Sequence, residues 1–355
     1  MKPILYNPDE ANFLYNGLGP LADATECAAT CERNGSYFLT LKYPATGKRA
    51  EYLRPGYCIK APANDKDRPQ IFRIYGTTRR LDGTIDVKAN HISYDLTGRP
   101  VKAYSAAGAA AAIAGINTNA VTPTGFEFDT DLTSAARYAI ATPRSARAIL
   151  GGADGSLIDT YGGELVFNNF RVSLLTSAGQ DNGVVIRYGK NLTELASDAD
   201  NSASGNGIYP FWYRENDGLV VPAAPSVIDW GHGYNCYKTV DLTDKFQNKP
   251  TAAQLSAMAN SMLTALAATE ETIEVSFISL AKAGGYDVIA NLENVGLCDT
   301  VGVIYTLYGP DGEVKMSVNV KTKVVKTVYD ALVERYDSIV LGTLKKTIAD
   351  YILEG

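Results

Sequence analysis

Histidine is nearly absent from this chain. Its 355 residues include two histidines, two tryptophans and four methionines. A serine or cysteine nucleophile needs a base, most often histidine. Only His91 and His232 could serve. His232 lies in "DWGHGYNC", four residues before Cys236, so a Cys236–His232 pair is conceivable. The plainer reading is a packed loop histidine. No H-E-x-x-H occurs, which removes the usual zinc peptidase. The phosphate-cradling patterns G-x-x-x-x-G-K-[ST] and G-x-G-x-x-G are also missing. No cofactor is therefore expected. The five cysteines (Cys27, Cys31, Cys58, Cys236, Cys298) form an odd set and read as free thiols. Cys27 and Cys31 lack a second pair that would complete a zinc set, so no metal is expected. No lysine or arginine block exists and the net charge is −6, which argues against a general nucleic-acid grip. No run of about 18 apolar residues is present to span a bilayer. The opening "MKPILYNPDEANF" lacks the apolar core of a secretory signal. Glycan hydrolysis needs paired carboxylates. Among 39 Asp and Glu none stands out, and Asp198 and Asp200 read as part of a solvated turn.

What is present reads as a folded β-rich chain. Hydrophobic residues make up 46%, charged residues 20%, and tyrosine is abundant at 22. Aromatic and β-branched residues suit pleated surfaces. The length allows two to four domains. Period-two alternation or short apolar runs mark strands in "SYFLTLKYP", "RAEYLRP", "YCIKAP" and "QIFRIYGTTRRLDGTIDVKANHISYDL", with "LDGT" at 81–84 as a hairpin turn. The small residues of 104–116 predict a helix packed closely against a neighbour, and 131–142 predicts a second. "TPRSARAIL" predicts a short helical turn. Residues 192–206 read as polar loop. Thr251 is a good N-cap with Gln254 three residues on, and Leu255, Met258, Met262, Leu263 and Leu266 share one helix face. Strands return in "TIEVSFISL", "DVIANLENV" and "DTVGVIYTLYGPDGEVKMSVNVKTKVV". The close, from Thr327, predicts a short helix, a strand and a helix-like tail. One echo stands out. Leu53, Gly56, Cys58 and Ile59 precede a long hairpin and "SYDL", while Leu292, Gly296, Cys298 and Val301 precede another and "VYDAL". The two regions are either duplicated β modules or alike by chance.

The densest glycine run is "GGADGSLIDTYGGELVFNNFRVSLLTSAGQDNGVVIRYGKN", Gly151 to Asn191. A phosphate cradle sets its glycines between one strand and one helix. Here they lie between several strand-like segments. Gly162, Gly163, Gly179, Gly183 and Gly189 therefore read as positive-φ turn residues of a meander.

The same run resembles the signature of phage tail-tip hub proteins: tail-associated lysins, the prophage endopeptidase tail family, phage minor structural proteins. The matching residues are Gly162, Gly163, Glu164, Asn168, Asn169, Gly179, Asp181, Asn182, Gly183, Arg187, Tyr188, Gly189, Lys190 and Asn191. "VKANHISYDL", "DGLVVPAAP" and "ENVGLCDTVGV" extend the likeness over roughly 70–342. Ala178 and Cys298 depart from it, standing where arginine and the glycine of Leu-Gly-Asp-Thr-Val are common. The resemblance implies an α+β, β-rich, multidomain tail hub fold with two β-barrel domains and an α/β insert. Residues 1–97 would form the first barrel, 98–190 the insert with its glycine-rich meander, 191–272 a connecting region with one amphipathic helix, and 273–355 the second barrel and tail. It further implies a structural baseplate hub in the virion tail, made in the bacterial host cytoplasm. Three chains would form a ring. Expected partners are the hexameric distal tail protein or tail tube, the C-terminus of the tape-measure protein, and receptor-binding or lytic tail proteins. DNA would pass through the channel without specific binding. Lytic modules of such proteins usually lie beyond the hub region, and this chain leaves no room for one, so an enzyme is the rival reading. A third is a glycan- or receptor-binding tip using exposed aromatics such as Trp212 and Trp230.

Overall fold

A computed structural model describes residues 2–187, 192–200, 205–229, 233–246, 248–266, 270–277, 295–308 and 310–342. The chain divides into two compact units. One comprises Met1–Ala196 with Ile273–Gly342. The other comprises Ser197–Thr272 with Thr343–Gly355.

The first unit starts with seven strands: β1 (Ile4–Tyr6), β2 (Gly19–Pro20), β3 (Glu26–Glu32), β4 (Tyr37–Pro44), β5 (Cys58–Ala61), β6 (Gln70–Arg79) and β7 (Thr84–His91). Their order in the sheet is β3-β4-β7-β6-β5-β1-β2, all antiparallel. The burial pattern explains the two kinds of strand sequence. β4 alternates, burying Tyr37, Leu39, Leu41 and Tyr43, and β7 buries Ile85, Val87, Ala89 and His91. β1, β5 and the start of β6 are apolar without alternation. Leu5, Ile59 and Phe72 enter one core, while Ile4, Tyr6, Cys58 and Ile71 enter another. Strands covered on both faces carry continuous apolar runs.

That second core is supplied by the segment after β7. It contains β8 (Pro100–Val101), β9 (Tyr104–Ala107), α1 (Ala109–Asn119), β10 (Glu127–Thr130), β11 (Arg137–Ile140), β12 (Arg144–Ser145), α2 (Ala146–Leu150), α3 (Leu157–Tyr161), β13 (Glu164–Asn168) and β14 (Arg171–Leu175). β13 and β14 form a hairpin, and β10 pairs with β14 in parallel. Gly115 of α1 lies so close to Tyr104 that an added Cβ would fall 2.4 Å from the ring. Tyr104 also donates to the Ala112 carbonyl, 2.7 Å. α1 is thus a small-residue helix because a neighbour sits against it.

After β15 (Asp181–Arg187), β16 (Leu192–Asp200) leads into the second unit. There β17 (Gly207–Arg214) pairs with β18 (Gly218–Val220), β19 (Ser226–Val227) and β20 (Tyr237–Asp241). α4 (Ala252–Leu266) packs on one face of this sheet. Its Leu255, Ala259, Met262 and Leu263 meet Ile208, Trp212, Val240 and Leu242. Thr251 and Gln254 close a reciprocal cap: the Gln254 N–H donates to Thr251 Oγ1 at 3.3 Å, and the Thr251 N–H to Gln254 Oε1 at 2.8 Å.

β21 (Glu270–Phe277) returns to the first unit, followed by β22 (Thr300–Tyr308), β23 (Val314–Asp330) and β24 (Arg335–Gly342). β23 is 17 residues long. Its first half pairs with β22, and its second half lies between β24 and β3. One sheet therefore runs through both β regions, and its described strands follow an open path, not a closed one.

Several elements differ from the sequence expectation. Residues 131–142 are not helical. Tyr138 and Ile140 are buried, Arg137 and Ala139 exposed, and β11 pairs with β9. The alanines lent this segment a helical composition, but its period is two. For the same reason 104–107 is strand, and the helix starts at Ala109 after Gly108. Within "RAEYLRP", residues Ala50–Tyr52 form a 3-10 turn entered through Arg49 at φ 71°. "ISYDLTG" is also 3-10, capped by His91. Residues 192–200, which carry Asp198 and Asp200, are strand. The expected helix near 328–332 is the end of β23 and a turn. The tail after Gly342 and most of "DVIANLENV" lie outside the described residues.

Candidate functional site

The glycine-rich run contributes most of the polar chemistry at the centre of the first unit. Two helical turns precede its hairpin. Ser145 caps α2, accepting from the Ala148 N–H, and Ser156 with Asp159 makes a capping box on α3. α3 was not expected among so many glycines. Ser156 and Asp159, three apart, are its local signal. Gly162 ends α3 at φ 68°, and Gly163 follows at φ 92°. At Gly163 a side chain would also strike the Leu175 carbonyl oxygen, 2.7 Å away. Gly183 has φ 67°, in the left-handed region. Gly189 lies outside the described residues.

The β13–β14 hairpin is fastened at both ends by side-chain amides. At its turn Asn169 adopts φ 52°. The Ile71 N–H donates to Asn169 Oδ1 (2.9 Å), and the Asn169 N–H donates to Gln70 Oε1 (2.8 Å). Gln70 Nε2 donates to Asn168 Oδ1 (3.1 Å) and to the Arg68 carbonyl (2.7 Å). His91 completes the set. The Ser93 N–H donates to His91 Nδ1 at 3.2 Å, which places the ring proton on Nε2, 3.1 Å from Gln70 Oε1. The ring is fully buried, stacks on Tyr37 with centroids 4.4 Å apart, and titrates only near pH 3 because burial, then the Arg147 charge, disfavours its cation. At the hairpin's other end, Asn34 Nδ2 donates to the Gly163 carbonyl (2.9 Å), and Asn34 Oδ1 accepts from the Leu165 N–H (2.7 Å). Arg147 fills the space between, its guanidinium over the Tyr94 ring (4.5 Å) and the Phe167 ring (4.3 Å).

The second part of the run, Gly179–Gly183, is held differently. Gly179 is not a left-handed turn residue. The expectation is corrected by contact geometry: a Cβ there would sit 1.9 Å from the Cys298 carbonyl oxygen. The glycine is required by the close passage of two backbones. Asp299 organises this crossing. Its Oδ1 accepts from the Gln180 N–H (2.9 Å), its Oδ2 accepts from the Gly296 N–H (2.7 Å), and the Lys66 ammonium pairs with it. The Thr300 N–H donates to the Gln180 carbonyl (2.9 Å), after which β15 runs parallel to β22. Glu164 accepts from the Ala178 N–H (2.7 Å) and from Lys323 Nζ (2.7 Å), with Arg33 Nη1 at 3.5 Å. Asp181 pairs with Lys321, which holds its carboxyl below the usual range.

A cavity of about 510 Å³ lies beside this crossing, lined by Cys31, Tyr37, Lys66, Phe167, Cys298 and Asp299 among others. Burial raises the Cys31 thiol, and raises Cys298 to about 12, so both stay protonated near neutral pH. Burial also pushes Tyr37 well above its ordinary range. His91 is committed to Gln70 and Ser93, and Glu164 and Asp299 to backbone N–H groups and lysines. Among the described residues no three His, Cys, Asp or Glu side chains group as a cation site. His232 lies outside the described residues. The backbone N–H of Cys236 donates to Asn206 Oδ1, 2.7 Å. Trp212 is not an exposed platform. It is fully buried under α4 because β17 alternates and places it on the helix side. Trp230 lies outside the described residues. Sequence reasoning marked Glu164, Asn168 and Asn169 but missed Asn34, Gln70, Lys66 and Asp299. Only Asp299, inside "LCDTV", stood near a matching motif.

The arrangement can hold three distant stretches of chain together, and that is a property of the fold. No family model matches the chain, and no curated protein matches it. Solved structures do: the fold is that of prophage tail proteins. Prophage tail protein gp18 from Listeria monocytogenes EGD-e shares it with a TM-score of 0.58 and 16% identity, over 100% of both chains. The 43 kDa tail protein of prophage MuSo2 from Shewanella oneidensis has a TM-score of 0.60 and 11% identity, covering 99% of this chain and 100% of that one. A tail protein from Neisseria meningitidis MC58 has a TM-score of 0.57 and 8% identity, covering 99% and 98%.

Proposed function

We propose that this chain is a structural hub of a bacteriophage or prophage-derived tail tip, acting as a homotrimer and not as an enzyme. The observation that carries the reading is the end-to-end fold likeness to three prophage tail proteins. The glycine-rich run supports it, since its described residues join the chain's own strands. In this reading the β regions at 1–97 and 273–340 act as two hub barrels, the insert at 98–190 braces them, and 191–272 connects. Three chains set six such regions around one axis, matching a six-fold tail tube to a three-fold tip. The open sheet favours this. β15 pairs only with β22, and β2 only with β1, among the described strands. Unpaired edges invite uncontrolled pairing, and a closed ring of copies covers them.

The ring face would meet the hexameric distal tail protein or tail tube. Its opening would admit the tape-measure protein's C-terminus and then DNA, which a chain of net charge −6 lets slide. Receptor-binding or lytic proteins would attach distally. The test is localisation in assembled particles. A label on this chain should mark the distal end of the tail at three copies per particle. Its absence from finished tails contradicts the proposal. Incubation of the pure chain with peptidoglycan should release nothing. Turnover abolished by Cys236→Ala would favour the enzyme instead.

A further inference from the structure

Tyr37, Cys31 and Thr327 stand in one row across three strands. Register places Cys31 of β3 opposite Tyr37 of β4 on one side and opposite Thr327 of β23 on the other. Residues directly opposite each other share a sheet face. All three line the cavity of about 510 Å³ beside the Gly179 crossing. Tyr37 is 4% exposed and Thr327 3% exposed. Neither hydroxyl has a hydrogen-bond partner among the described residues. Buried hydroxyls are normally bonded, because leaving them unpaired costs free energy. Two that open into one cavity mark a place for a molecule that bonds to both.

The lining selects the chemistry of that molecule. Its charged side chains are already engaged. Lys66 pairs with Asp299, Glu32 with Lys326 at 3.0 Å, and Asp67 accepts from Asn64 Nδ2 at 2.9 Å. Burial keeps the Cys31 thiol and the Tyr37 phenol protonated, and it keeps the His91 ring stacked on Tyr37 neutral. An ion of either sign would lose its water there without gaining a counter-charge. A hydroxyl both donates and accepts, so hydroxyls on the bound molecule satisfy Tyr37 and Thr327 in either direction. Leu165 and Leu297 supply an apolar wall. Toward solvent, the side-chain amides of Gln180 and Asn182 also lack a partner among the described residues. The volume falls in the range of small-molecule sites.

We propose that this cavity binds a small uncharged molecule rich in hydroxyl groups, of the kind and size of a single sugar ring, with its hydroxyls on Tyr37 and Thr327 and its C–H face on Leu165 and Leu297. The proposal does not depend on the hub reading. Saturation-transfer NMR and calorimetric titration of the intact chain test it, with glucose, galactose and N-acetylglucosamine as probes and glucuronate as the charged control. At least one neutral sugar should bind, and glucuronate should bind more weakly than that sugar. Tyr37→Phe and Thr327→Val should each weaken the sugar about fivefold, the worth of one hydrogen bond. Both variants should melt no lower than the parent, because neither hydroxyl is bonded within the protein. Silence from all three sugars overturns the proposal and leaves the cavity to water. Affinity unchanged in both variants overturns it too, since the sugar would then sit elsewhere. Glucuronate binding as tightly as the neutral sugars overturns the uncharged ligand, and a variant that melts below the parent overturns the uncommitted hydroxyl.

Discussion

Gly162 and Gly179, one in each half of the glycine-rich run, are glycine for opposite reasons. In the first half, Gly162 and Gly163 supply backbone angles, and neutral amides do the fastening: Asn34, Gln70, Asn168 and Asn169. In the second half, Gly179 supplies only the absence of a side chain, and carboxylates do the fastening: Glu164, Asp181 and Asp299. A strained angle can be partly relaxed by the turn that holds it. Two backbones in contact cannot separate without breaking the Thr300–Gln180 hydrogen bond and the Asp299 contacts. The glycine whose angle is ordinary is therefore the one least able to change.

The largest effect is expected at Gly179. Gly179→Ala should cost more than about 3 kcal/mol or prevent folding, because a carbon atom is forced onto a carbonyl. Thermal melting or soluble yield reads this. Gly162→Ala meets no atom within 4 Å and should cost about 1–3 kcal/mol from its backbone angles alone, φ 68° with ψ −155°. Equal losses at the two sites would erase the distinction. Asp299→Ala should follow Gly179→Ala, at about 2–4 kcal/mol in denaturant unfolding. It removes the acceptor for two N–H groups and strands the Lys66 charge.

The next expectation concerns acid. His91 titrates near pH 3 folded and near 6.5 unfolded, so the unfolded chain binds its proton first as pH falls. Its contribution is fully present above about pH 6.5 and is lost between there and about pH 3, at about 1.4 kcal/mol per unit. Melting temperature followed from pH 7 to pH 4 should fall less steeply in His91→Asn than in the parent, once the carboxylate titrations common to both are subtracted. Parallel curves would show that His91 is not buried neutral beside Gln70. The smallest effect is Lys321→Ala, whose pair with Asp181 is largely exposed. It should leave the melting temperature unchanged within measurement error, because solvent screens the pair.

Much of the strand layout was legible because burial alternates locally. β4, β7, the 81–84 turn and the capped helix α4 follow from neighbouring residues alone. What misled was local composition where tertiary pairing decided: the alanines of 131–142, whose partner β9 lies some thirty residues back, and "SYDL", which packs as 3-10. The site was legible as a pattern and not as a set of contacts. Glu164 finds Lys323 at a separation of 159 residues, Gln180 finds Asp299 at 119, and Asn168 finds Gln70 at 98. No spacing rule reaches that far. Gly179 was grouped with the turn glycines because a close crossing leaves no mark except the missing side chain.

The most direct test of the hub reading is the mass of the purified chain in solution, by light scattering on a sizing column at micromolar concentration. The account predicts a particle of three chains. A monomer at every concentration, with no trimer in assembled tails, would contradict it.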